Sequence, residues 1–229
     1  MTRQFIAFIR HGDYHQLANT PSAHQPFALT TLGQTQARQA AKRIESFCLE
    51  QQCELDAEIA SSHLLRAWQT ASIISQELIP STHIVSTMAL AERSVGTVAN
   101  LTIDEIEKII ADDPRYDSPP KNWKSNSEYK LPFHGAESLF ESGQRVADYI
   151  SNVMTMDQSQ NHSRLKLFVG HGAAFRHAAY ALNILKREQI KQLSMYHAHP
   201  IFFEQNDLHE HWQHIAGDWK QRQLTDKPD

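Results

Sequence analysis

Four things are scarce in this chain of 229 residues, and each shortage excludes something. Cysteine occurs only twice, as Cys48 and Cys53, too few for a disulfide framework, so both read as buried or idle thiols without a redox role. Positive charge is not in excess: 22 Lys and Arg against 26 Asp and Glu give a net charge of -4, which offers nothing general to nucleic acid or an anionic membrane. Long apolar runs are missing. The N-terminal run Phe5-Ile6-Ala7-Phe8-Ile9 stops at Arg10, too short for a signal-peptide core or a membrane span, and a soluble cytoplasmic protein is expected. Glycine occurs 8 times, and Gly12, Gly170 and Gly172 flank just two histidines, His11 and His171.

That placement is the informative one. Arg10-His11-Gly12 follows an apolar run of strand type, and Gly170-His171-Gly172 follows Leu165-Lys166-Leu167-Phe168-Val169. In α/β sheets ligands bind beyond the carboxyl ends of strands, where a glycine such as Gly12 or Gly172 lets an anion approach the backbone. The pattern therefore points to two imidazoles gathered at one phosphate-sized site.

Between these junctions strands alternate with helices, and no internal repeat is found. Thr31-Leu32-Gly33-Gln34 reads as a capping box opening a helix with Ala37, Ala40, Ala41, Ile44 and Phe47 on one face. A short strand, Ala57 to Ala60, leads to Ser61-Ser62 as N-cap types. The helix after them carries Arg66 in its first turn and stops at Pro80. A strand from His83 to Met88 delivers Ala91-Glu92-Arg93 at its exit. Thr102-Ile103-Asp104-Glu105 is a second capping box. From Asp113 to Ala136 four prolines break the pattern, and this segment is read as a partial lid. Ser138 starts the next long helix, another begins near Ala173, and Ile201-Phe202-Phe203 with Trp212 to Ile215 form a terminal hairpin around Asn206-Asp207. The expected architecture is a three-layer αβα sandwich with a mostly parallel sheet.

A phosphomonoester needs cations that spread charge over its nonbridging oxygens, and Arg10 and Arg66 supply the guanidinium forks. A neutral imidazole at His11 can attack phosphorus and split one hard displacement into two easier ones. The leaving oxygen needs a proton, for which Glu92 is the candidate, with capping of a turn as its plainer alternative. His171, if protonated, adds charge beside the free N–H groups of the helix that follows it. Arg93 is a candidate for substrate binding or for a structural ion pair.

Four stretches resemble the histidine phosphatase superfamily, the phosphoglycerate mutase-like proteins: Ile9-Arg10-His11-Gly12, Leu29 to Ala37, Ser61 to Ala71, and Val169-Gly170-His171-Gly172. They span most of the chain in the family's order. The resemblance implies a nucleophile at His11, a phosphate pocket of Arg10, Arg66 and His171, an acid at Glu92, no metal and no cofactor. Gly135-Ala136-Glu137-Ser138 looks like a degenerate form of the family's Gly-Glu-Ser helix start. Phosphoglycerate mutases continue after Arg-His-Gly with Glu-Ser and then Trp-Asn, where this chain has Asp13-Tyr14-His15-Gln16-Leu17. That opening looks closer to the phosphatase branches, including those similar to mutase-like protein phosphatases.

The expectation is therefore one histidine phosphatase domain over residues 1–229, with a lid-like insertion at about 113–136. Its substrate would be a phosphorylated small molecule or a phosphoprotein. A cofactor-dependent phosphoglycerate mutase and a noncatalytic phospholigand-binding adaptor are the alternatives. His197 and His199, or His209, Glu210, His211 and His214, raise a zinc site, but alternating exposed positions on strands explain them more simply. Tyr116, Trp123, Tyr129 and Phe133 either line a substrate cleft or anchor a surface loop. The hairpin's open edge could pair with a second copy to form a homodimer, or fold back.

Overall fold

The computed structural model describes residues 2–21, 24–78, 82–156, 162–206 and 209–222. Strand β1 (Gln4–Arg10) is followed by α1 (Thr31–Gln51), β2 (Glu54–Ser62), α2 (Leu65–Leu78) and β3 (His83–Thr87). After α3 (Ile103–Asp112) come α4 (Leu139–Met156), β4 (Arg164–Gly170), α5 (Gly172–Ala181) and α6 (Arg187–Gln192). The chain continues through β5 (Leu193–Met195), β6 (Ile201–Asn206), β7 (His209–Ala216) and β8 (Trp219–Gln221). The main sheet has the order β3-β2-β4-β1-β6-β7, and β5 pairs with β8 separately.

The first four strands of that order run parallel, and β6 and β7 add an antiparallel hairpin beside β1. A parallel strand covered on both faces must be apolar where it is covered, and β1 is so from Phe5 to Ile9. Ile6 and Phe8 point to one face, where they meet Val146 and Ile150 of α4 and Phe175 and Ala178 of α5. Phe5, Ala7 and Ile9 point to the other, against Ile44 and Phe47 of α1 and Ala67 and Ile74 of α2. Period-two alternation thus buries β1 between two helical layers. The result is the αβα sandwich expected from the sequence.

Local signals held with small shifts. The Thr102–Glu105 box is present: Glu105 N–H donates to Thr102 Oγ1, and Thr102 N–H to the Glu105 carboxylate. Ser138 likewise caps α4, accepting from Glu141 N–H while its own N–H donates to the Glu141 carboxylate. The cap of α1 is Thr30 rather than a box at Thr31; its hydroxyl accepts from Gly33 N–H and donates to Asp13 at 2.7 Å. Ser61 and Ser62 belong to β2 instead of capping α2, because β4 on one side and β3 on the other pair this strand to its end. Pro80 and Asp207 lie outside the described residues.

The Asp113–Ala136 stretch packs onto α3. Trp123 and Leu131 are buried with Val95, Val98, Ile106 and Ile110 in a separate small core, with Tyr116, Tyr129 and Phe133 packed against it. Trp123 donates its indole N–H to Glu107 at 2.9 Å. Among the readings of those aromatics, the structure takes the anchoring one.

Candidate active site

The parallel register of β1 and β4 sets Arg10 opposite Gly170, so the residues just beyond, His11 and His171, emerge side by side. Their ring centroids are 5.1 Å apart. His11 N–H donates to Gly170 O at 2.9 Å, which carries the pairing one step past the strand.

His11 is buried, and its Nδ1 lies 2.7 Å from the carbonyl oxygen of Gly12. A carbonyl only accepts, so Nδ1 carries the hydrogen and Nε2 keeps the lone pair. Burial, followed by the positive charge of Arg66 and the nearby His171 and Arg10 side chains, holds this imidazole well below the ordinary histidine pKa. Neutral, with its lone pair at Nε2, is the state a nucleophile requires.

Close glycine contacts fix the turn. A Cβ on Gly12 would sit 2.5 Å from Gly33 O, and one on Gly33 would sit 2.0 Å from Asp13 O, so both positions accept only glycine at this approach. Gly12 N–H donates to Thr70 Oγ1 at 3.0 Å, and that hydroxyl donates to Arg66 O at 2.7 Å. The turn at His11 and Gly12 is thereby tied to the first helical turn that carries Arg66.

Arg66 is fully buried. It donates to Gln25 O at 2.9 Å and to His171 Nδ1 at 3.2 Å, and its guanidinium lies 4.6 Å from the centroid of the Tyr14 ring. Arg10 donates to Met195 O at 3.0 Å, and a Cβ on Gly172 would come within 3.1 Å of the Arg10 side chain. Glycine at that position leaves the arginine its path.

The hydrogen bonds of His171 settle which of its nitrogens carries a hydrogen. Because Nδ1 accepts from Arg66, Nε2 carries the hydrogen and donates to Ser62 Oγ at 2.8 Å. Burial and then the Arg66 and Arg10 charges push its pKa well below the usual value. With these two bonds the ring is neutral.

Glu92 is buried, and one carboxylate oxygen accepts from Arg93 N–H at 2.9 Å and from Ala174 N–H at 3.2 Å. It therefore sits at the amino end of α5, one turn from His171. Its loop is held by Arg145, which donates to the carbonyls of Met88, Ala89 and Ala91 and forks onto Glu137 with two bonds of 2.8 Å. The Arg93 guanidinium lies 5.8 Å from a ring centroid of Trp123.

The structure thus gathers Arg10, His11, Arg66 and His171, with Gly12 and Gly172 beside them and Glu92 at the α5 end. It also brings residues that sequence reasoning passed over. Gln25, Ser62, Thr70 and Tyr14 hold the cluster from within. His197 comes to 5.6 Å from His11, ring to ring, instead of alternating along an exposed strand, because residues 196–200 form a turn in which Ala198 N–H donates to Arg10 O at 2.8 Å. Ser62 and Thr70 fall in the Ser61 to Ala71 stretch and Tyr14 in the opening after Gly12, whereas Gln25 had no sequence signal.

A family model described as the histidine phosphatase superfamily, branch 1, matches residues 6–215. Similar curated proteins include two enzymes named 2,3-bisphosphoglycerate-dependent phosphoglycerate mutase. That of Bartonella henselae is 28% identical over 207 residues, covering 88% of this chain and 92% of the relative. That of Parvibaculum lavamentivorans is 26% identical over 204 residues, covering 88% and 90%. Among solved structures, a mycobacterial glucosyl-3-phosphoglycerate phosphatase superposes with a TM-score of 0.68 at 20% identity, covering 96% and 97% of the two chains. A phosphoserine phosphatase of Entamoeba histolytica, solved with 3-phosphoglyceric acid, gives 0.62 at 17% identity over 94% and 96%. Those two structures share the fold with this chain.

Proposed function

The chain belongs to the histidine phosphatase superfamily, branch 1, and from that premise we propose that it is a cytoplasmic phosphatase hydrolysing phosphomonoesters through a phosphohistidine at His11. The observation that carries this reading is the Nδ1 contact of His11 with Gly12 O, which leaves Nε2 as the nucleophilic nitrogen among the cations Arg10 and Arg66.

In the first step the Nε2 lone pair attacks phosphorus, the bond to the leaving oxygen breaks, and Glu92 gives that oxygen its proton. Arg10 and Arg66, the backbone at Gly12 and Gly172, and His171 receive the nonbridging oxygens. In the second step Glu92 takes a proton from water, the water oxygen attacks phosphorus, and the bond to His11 breaks, freeing inorganic phosphate. No step calls on a metal or a cofactor. The whole chain acts as one domain, with residues 113–136 beside the pocket as its lid and Arg93 at that boundary as a contact for the substrate's remaining groups. The substrate is a phosphorylated small molecule or a phosphoprotein.

Hydrolysis of an aryl phosphate in the presence of EDTA, by the wild type and by His11→Ala, tests the reading. Activity that survives the chelator and vanishes with His11 is expected; substantial turnover by the variant overturns the mechanism. The mutase names of the curated relatives favour a second reading, interconversion of monophosphoglycerates primed by a bisphosphorylated compound. The residues after Gly12 weigh against it, and a monophosphoglycerate assay with and without the primer separates the two.

A further inference from the structure

A second cavity lies on the α4–α5 side of the fold, with a volume of about 590 Å³, and none of Arg10, His11, Arg66, Glu92 or His171 lines it. Its walls come from residues 121–128, the first turn of α4, α5, α6 and the residue after β8. They bring Lys121, Arg176, Arg187, Lys191 and Arg222 together against one carboxylate, Glu128. Glu128 is bonded to Arg187, whose guanidinium also lies 5.5 Å from the centroid of the Phe140 ring. In a chain of net charge -4, five cations to one anion in one small cavity is a strong local reversal of sign.

We propose that this cavity binds a small molecule carrying two or more phosphate or carboxylate groups, at a site apart from the pocket around His11. Like charges crowded into a partly desolvated space repel one another, and an incoming anion offsets that repulsion. The cations stand on four different elements, so a single phosphate cannot reach them all, whereas a molecule with separated anionic groups can. The volume is that of a small-molecule site, too small for a polymer. The wall is also built: Arg176 is buried and donates to Leu193 O at 3.0 Å, and His177, buried beside it, donates from Nδ1 to Ala173 O and accepts the Ser127 hydroxyl at Nε2. Burial and the nearby arginines push His177 down to about 3, so it pins residues 121–128 to α5 as a neutral ring. The arrangement connects to the phosphate pocket, since Arg176 bonds Leu193 O and Arg10 bonds Met195 O on the same three-residue strand.

Methylenebisphosphonate, which a phosphatase cannot cleave, is the probe, titrated calorimetrically into the full chain. Lys121 and Lys191 are exposed, so the K121E/K191E variant should fold normally, as its thermal unfolding will show. Expected is binding that the double variant weakens by about tenfold or more, while R66A leaves it in place and aryl phosphate hydrolysis by K191E, a position on α6 outside the 113–136 segment, stays at the wild-type rate. No binding by wild type, equal binding by wild type and K121E/K191E, or binding lost in R66A and kept in K121E/K191E overturns the proposal. Absence of hydrolysis in every protein would remove the reading of His11 and leave the calorimetry to judge this site.

Discussion

Arg66 donates a guanidinium N–H to Nδ1 of His171 at 3.2 Å, and the opposite nitrogen of that ring donates to Ser62 at 2.8 Å. One imidazole is thus held neutral between a cation and a hydroxyl. A dianion entering the pocket favours the imidazolium instead. Sulfate, which carries no proton of its own near neutrality, is expected to bind with uptake of up to about one proton at pH 7, and its affinity should fall as pH rises. Calorimetry in two buffers of different ionisation enthalpy measures the uptake. Zero uptake would mean that His171 stays neutral when an anion is bound.

Acid should destabilise this fold through its buried histidines. His11, His171 and His177 are all held below the ordinary histidine pKa, mainly by burial. Unfolded, each takes a proton near pH 6.5. Below that pH the unfolded chain therefore binds protons that the native state does not, and unfolding becomes easier as pH falls. Each such histidine costs about 2 kcal/mol of stability at pH 5 and nothing appreciable above pH 7.5. Urea midpoints are expected to drop between pH 7 and pH 5, and less steeply in His177→Gln. An unchanged slope in that variant would show that His177 takes up its proton while folded.

Glu92→Gln separates an acid from a cap. Glutamine can still accept from Ala174 N–H and Arg93 N–H, so the loop should stay in place. If the carboxyl supplies the proton, kcat for an alkyl phosphate falls by about a hundredfold or more. A nitrophenyl ester, whose leaving group needs little protonation, should lose far less. Equal losses on both esters would leave Glu92 as a capping group only.

The order of the chemistry was legible in the chain. Arg10-His11-Gly12 and Gly170-His171-Gly172 could be placed at strand ends because apolar runs and glycines are local signals. The box at Thr102 and the helix start at Ser138 were legible for the same reason: a cap is made within four residues. Ser61-Ser62 was read as a cap because its strand pairing with β3 and β4 is not local.

By itself the sequence determined which residue types stand at which strand exits, and with them the sandwich and the turn at His11. Only the tertiary structure decided the protonation state of His171, the approach of His197 to His11, the clamp of Arg145 on the loop before Glu92 and the basic cavity around Arg176. The physical reason is range. Helix caps and strand periodicity depend on neighbours in sequence, whereas burial and electrostatic fields depend on what distant segments bring to one place, as when Arg66 of α2 reaches across the strand ends to the ring of His171.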